Sequence, residues 1–118
     1  MKVIIQDNIF KVKLCTTPKS IIDGMSKKMF DDSFNGMLFL FPEIKNQKFW
    51  MYNCIIPLDI IMIKDDVISK IHHNCIPCED EYECESYSGK GNKVLEVLGG
   101  TCKTSGISEG DIVKFSMF

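Results

Sequence analysis

Residues 36–63 cut the chain's apolar content into pieces of strand length. They read Gly36-Met-Leu-Phe-Leu-Phe41, then Phe49-Trp-Met-Tyr-Asn53, then Ile56-Pro-Leu-Asp-Ile60. Short apolar runs broken by Pro, Asn and Gly fit strands better than helices. A pure hydrophobic core would not need Trp50, Asn53, Pro57 and Asp59 among these runs. Those polar and aromatic insertions mark a candidate site.

The rest of the chain repeats the strand theme. Phe10–Leu14 alternates apolar and charged residues, and Val3–Ile5 pairs with it across Gln6-Asp7-Asn8. Thr17-Pro18 is a helix start, with Thr as N-cap and Pro at the first helical position. Ile21, Ile22, Met25 and Met29 then share one helical face, so a principal helix is predicted near residues 18–29, weakened by Gly24. Met37–Phe41 is read as a strand ended by Pro42, residues 44–48 as a polar turn, and Phe49–Tyr52 as the next strand. Leu58–Ile63 and Val67–His72 form a hairpin about Lys64-Asp65-Asp66. Cys75–Asn92 reads as a long, acidic, irregular segment. Val94–Leu98 is a strand. Gly99-Gly100 leads into a short turn or helix ending at Gly106, and a Gly-marked turn feeds a last strand, Ile112–Met117. The predicted class is mainly β (α+β): a small closed or half-closed β-barrel with one principal short helix, in one domain spanning residues 1–118. Closure would also hide the edges of such apolar strands.

Composition narrows the function classes. A formal charge of -2 on 118 residues gives no basic surface for nucleic acid. All 14 basic residues are Lys, so no Arg fork is present to grip a phosphate or carboxylate. No apolar run nears the roughly 20 residues of a membrane span. The start Met1-Lys-Val-Ile-Ile-Gln-Asp7 does not read as a signal peptide, so a cytoplasmic location is expected, with an exported form trimmed of its signal as the alternative. No nucleophile elbow, phosphate loop, dinucleotide fingerprint or zinc-protease helix occurs, and no cofactor is expected.

Four blocks in order resemble an uncharacterised family, domain of unknown function 192 (uncharacterised protein family 0127). Ile22-Asp23-Gly24-Met25 looks like a degraded form of its early Gly-Leu-Met helix. Gly36–Phe41 is similar to its Gly-Met-Leu-Phe-x-Phe strand. Phe49-Trp50-Met51-x-Asn53 followed by Pro57-Leu58-Asp59-Ile60 resembles its most specific signature. Val94-Leu95-Glu96-Val97, Gly100, Gly106-Ile107 and Gly110-Asp111-x-Val113 resemble its C-terminal end. The likeness covers about residues 10–117. This chain departs where many members carry Arg before the early helix, having Lys19 and Ser20, and where many carry Thr after the Asn, having Cys54. The resemblance implies an architecture and no established activity. Cysteines near the positions of Cys78 and Cys84 in relatives imply a disulfide or metal clip on that loop.

Each candidate residue has a functional and a structural reading. Trp50 is a ligand platform or a packing residue, the commoner role of a strand aromatic. Asn53 contacts a ligand or ties down the Ile55-Ile56-Pro57 turn. Asp59, set among Leu58, Ile60 and Ile61, is a general acid or base, a cation ligand, or an acceptor for loop N–H groups. Glu96, alternating within Val94–Leu98, is its possible partner. His72, His73, Cys75, Cys78 and Cys84 offer zinc-type donors, but only one Cys-x-x-Cys is present and no metal site is predicted. Free thiols, a disulfide and a metal clip all remain open there. Cys15, Cys54 and Cys102 read as small buried hydrophobes. The run Glu79–Glu85 holds five acids and no base and reads as a solvated loop.

The leading expectation is a small non-enzymatic binding or accessory domain. It would present Trp50, Asn53, Asp59 and Glu96 to a small polar ligand or a protein partner. One alternative is a small hydrolase using Asp59, with or without a metal. Another is a structural, self-assembling protein.

Overall fold

Side-chain alternation along the central strands produces two cores, one on each face of a single curled sheet. The computed structural model describes residues 1–117. The elements run β1 (Lys2–Ile5), β2 (Asn8–Cys15), α1 (Pro18–Asp23), β3 (Gly36–Phe49), β4 (Leu58–Lys64), β5 (Val67–Cys75), β6 (Tyr87–Leu98), α2 (Thr101–Ser105) and β7 (Val113–Ser116). The seven strands form one sheet in the order β5-β4-β6-β3-β2-β1-β7. All pairings are antiparallel except β2 with β3, where the segment carrying α1 returns the chain in the same direction.

The sheet curls into a half-barrel whose ends meet at one corner. Val67 bridges Ile112. The Ile68 N–H donates to the Asp111 carbonyl at 2.9 Å, and the Val113 N–H to that of Asp66 at 2.8 Å. Edge backbone groups that would otherwise lack partners are thereby paired. Inside the curl lie Ile5, Leu38, Ile61, Ile63, Leu95 and Val97 with their neighbours. On the other face lie Met37, Phe39, Ile60, Met62 and Val94, covered by Met25, Phe34 and Met51 from the loops. Residues 58–63 of β4 and 94–97 of β6 are buried on both faces, so their sequences are apolar apart from Asp59 and Glu96.

The structure revises several element boundaries. The helix predicted over 18–29 ends at Asp23. Thr17 and Ser20 form the expected capping box, but Gly24 takes φ 44° and turns the chain inward. Met25 is thus buried while Ile22 and Met29 are exposed, so the four residues do not share a helical face. Pro42 does not end β3. The strand runs on to Phe49 through residues read as a turn, because a register irregularity between Leu40 and Lys45 takes Pro42 out of the ladder. Residues 50–52 lie outside any named strand, and only Tyr52 bridges, to Cys78. β5 extends to Cys75, and residues 87–92 of the presumed irregular segment belong to β6. Glycine is what fits at residue 91: a Cβ there would collide with the Ile63 backbone carbonyl.

Candidate functional site

Glu96 is a carboxyl set in an apolar stretch of the sheet. It sits in the middle of β6 with Met37 of β3 and Ile60 of β4 as its cross-strand neighbours. Both neighbours are buried and apolar, and Glu96 itself is only 3% exposed. Among the described residues, no hydrogen bond or ion pair reaches its carboxyl. Burial alone pushes that carboxyl up to about 8, since a charge without water or a partner is strongly disfavoured. The group is therefore mostly a neutral acid at pH 7.

Glu96 lies at the base of a pocket of about 220 Å³. One wall is α1 and its end, through Ile21, Ile22, Asp23 and Met25. The end of β3 and the segment after it also line the pocket, through Phe49, Trp50, Tyr52 and Cys54. Trp50 is 40% exposed and its ring lies 5.1 Å from that of Tyr52. Phe49 packs edge-on against Phe39 and Phe41, which fixes the aromatic wall from behind. Lys48 and Asp23 are the charged lining residues besides Glu96. Asp23 pairs with Lys19 at 2.9 Å, and that contact holds its carboxyl below the usual range. Burial pushes the Cys54 thiol up to about 12, so it is no ready nucleophile.

Asp59 faces the other way. It is fully buried in the curl of the barrel, and its oxygens accept three backbone N–H groups: Asn74 at 2.8 Å, Gly100 at 3.0 Å and Cys102 at 2.8 Å. Two of those donors open α2, so Asp59 joins β4, β5 and α2 at one point. Asn53 adopts φ 60°, a conformation Asn tolerates. Its N–H donates to the Cys78 carbonyl and its carbonyl accepts from Lys27. The structure therefore brings Trp50 and Glu96 to one pocket, whose lining includes neither Asn53 nor Asp59.

Of the three states open to the loop cysteines, the structure has the disulfide, between Cys78 and Cys84. Cys75 is a free, buried thiol. The His72 ring Nε2 lies 2.7 Å from the Ser88 carbonyl. Among the described residues no three His, Cys, Asp or Glu side chains gather in a way that could hold a metal. The disulfide loop braces the pocket wall: Cys78 N–H donates to the Met51 carbonyl at 3.1 Å, two residues from where Asn53 bonds back. Cys15 and Cys102 are buried, and Cys54 is half-buried.

Sequence reading missed Tyr52, Phe49 and Asp23 as site residues. The clustering of aromatics over residues 49–52 was a usable signal for the first two. Asp23 fell within a motif block read only as helix; it lines the pocket from the last position of α1.

A family model for DUF192, described as "Uncharacterized ACR", matches residues 1–115. A crystal structure of a protein of unknown function from Novosphingobium aromaticivorans is similar, with 29% identity and a TM-score of 0.83, over 97% of this chain and 84% of that one. A second, from Sinorhizobium meliloti, is described as a "putative transcription regulator" and has 29% identity and a TM-score of 0.82, over 96% of this chain and 89% of that one. No curated protein matches significantly.

Proposed function

The chain belongs to the DUF192 family, and from that premise we propose that it is a non-enzymatic binding domain whose site is the pocket between Trp50 and Glu96. The observation that carries this reading is the Glu96 carboxyl, buried at the base of a pocket with no partner of its own. An unpaired buried carboxyl destabilises the fold, so its presence beside an open aromatic pocket points to a ligand that completes it. The hydrolase reading centred on Asp59 draws less support, because three backbone N–H groups occupy that carboxylate. The -2 charge and absence of Arg argue against carrying the Sinorhizobium protein's regulator description over as direct DNA contact. No described helix is long and apolar enough to cross a membrane. The Cys78–Cys84 disulfide favours an oxidising compartment over the cytoplasm.

The test is a thermal-shift screen of small polar metabolites on wild type, Trp50→Ala and Glu96→Gln. A hit that raises the wild-type melting temperature and is lost in both variants supports the pocket. Hits that persist in both variants would place binding elsewhere.

A further inference from the structure

The geometry points to an organic ammonium group as the pocket's ligand, the head of a small primary amine or of a lysine side chain; this rests on the pocket being the binding site. Three observations carry it. Glu96 at the base offers oxygens with no donor among the described residues, and an ammonium supplies three N–H donors and the missing positive charge. The lining is aromatic, with Trp50 and Tyr52 rings 5.1 Å apart, and aromatic faces attract cations. The volume of about 220 Å³ falls below that of most drug-sized ligand sites and suits a group of side-chain size. An anion would meet Glu96 at the base and Asp23 in the wall. Lys48, also in the wall, is the one lining cation and leaves room for an acceptor on the ligand's outer end.

Binding an ammonium draws the proton off Glu96, so affinity depends on pH. The charged and titratable groups around Glu96 are few. Asp23, Lys48, Tyr52 and Cys54 line the pocket with it. The Cys15, Cys54 and Cys75 thiols sense its charge, and Lys28 lies near Cys15 and Cys54. Burial pushes those thiols up, Cys54 and Cys75 to about 12, so they stay neutral from pH 6 to pH 8. Glu96 is the group that ionises in that window, while an alkylamine stays protonated throughout.

Trp50 is the sole tryptophan, so its fluorescence reports on the pocket directly. The oxidised full chain is titrated with n-butylamine, with Nα-acetyl-lysine amide and with n-pentanol, a neutral near-isostere, at pH 6, 7 and 8. The expected result is saturable Trp50 quenching by one or both amines. The apparent Kd should fall about 50-fold from pH 6 to pH 8 as the ionised fraction of Glu96 grows. Glu96→Gln, checked for an unchanged circular dichroism spectrum, should lose both the quenching and its pH dependence. Saturation by n-butylamine identifies a free amine as sufficient; saturation by the lysine amide alone identifies a partner's side chain. Saturation by n-pentanol with no preference for amines would overturn the ammonium inference and leave the pocket reading standing. No saturation by any probe, with no hit in the metabolite screen, would overturn both.

Discussion

Asp59 and Glu96 are one residue out of step on paired strands: Asp59 is registered with Val97, and Glu96 with Ile60. Registered residues share a face, so the two buried carboxyls point to opposite sides of one sheet. One side holds three N–H donors for Asp59; the other holds Met37, Ile60 and the pocket for Glu96. The same residue class thus ends as a structural tie on one face and an unsatisfied group on the other. The pair cannot work as a carboxylate dyad.

The first prediction concerns Asp59. An Asn keeps one carbonyl oxygen but turns an NH₂ toward at least one of the three N–H donors. Asp59→Asn should lower stability by about 1–3 kcal/mol, the penalty of one buried donor left unpaired. Urea denaturation of the purified variant measures it. Amine or metabolite binding at the pocket should be unaffected. Unchanged stability together with lost binding would reverse the assignment.

A second concerns the disulfide. Cys78 and Cys84 are 6 apart in sequence, and closing so short a loop stabilises the fold by about 2 kcal/mol on the chain-entropy view. Reduction, or Cys78→Ser with Cys84→Ser, should lower the melting temperature and speed amide exchange at Cys78 and Asn53, which bond across to each other's segments. Ligand affinity should drop as the wall carrying Trp50 and Tyr52 loosens. Exchange rates at these amides that ignore the reductant would contradict the bracing role.

What the sequence reveals here follows from how local each cause is. The hairpin of β4 and β5 and the alternation in β6 were readable because apolar periodicity and the Lys64-Asp65-Asp66 turn are local. The second half of β3 was not, since Glu43–Lys48 carries no apolar pattern and lies in the sheet because β6 pairs with it. The helix was overdrawn because Ile21, Ile22, Met25 and Met29 fit a helical period that Gly24 interrupts. Glu96 could be singled out as a carboxyl within an apolar strand. Its lack of partners could not, because that depends on which residues β3 and β4 place beside it. Asn53, Asp59 and Trp50 lie close in sequence, but sheet alternation and the turn at Asn53 separate them.

The third prediction tests the close approach of β6 to β4. Gly91→Ala puts a methyl group into the Ile63 carbonyl, a rigid backbone atom that cannot rotate away. The variant should lose about 1–3 kcal/mol, the usual cost of overpacking. Lys90→Ala, at an exposed neighbouring position, should change stability by less than about 0.5 kcal/mol. Chemical denaturation of the two variants side by side decides it. Equal, small losses would mean that β6 shifts freely at this point.

The fourth prediction follows from the charge state of Glu96. Its carboxyl titrates at about 8 when folded, against 4.5 for an unburied Glu. Between these values the folded chain holds a proton that the unfolded chain has released. Stability therefore falls as pH rises through that window, and the fall is complete once pH exceeds the folded value. Below about pH 4 both states are protonated and the group is neutral in effect. Glu96→Gln has nearly the same shape and cannot ionise, so it should lack this decline. The variant should match the wild type near pH 4, exceed it at pH 7, and exceed it most at pH 9, by several kcal/mol. Guanidinium titrations of both proteins at those three pH values give the comparison. A saturating ammonium ligand should narrow the gap at pH 9, because it supplies in the folded state the positive charge the ionised carboxyl lacks. Parallel pH profiles for the two proteins would mean that Glu96 is solvated or paired in solution, and the pocket would lose the group on which its proposed chemistry depends.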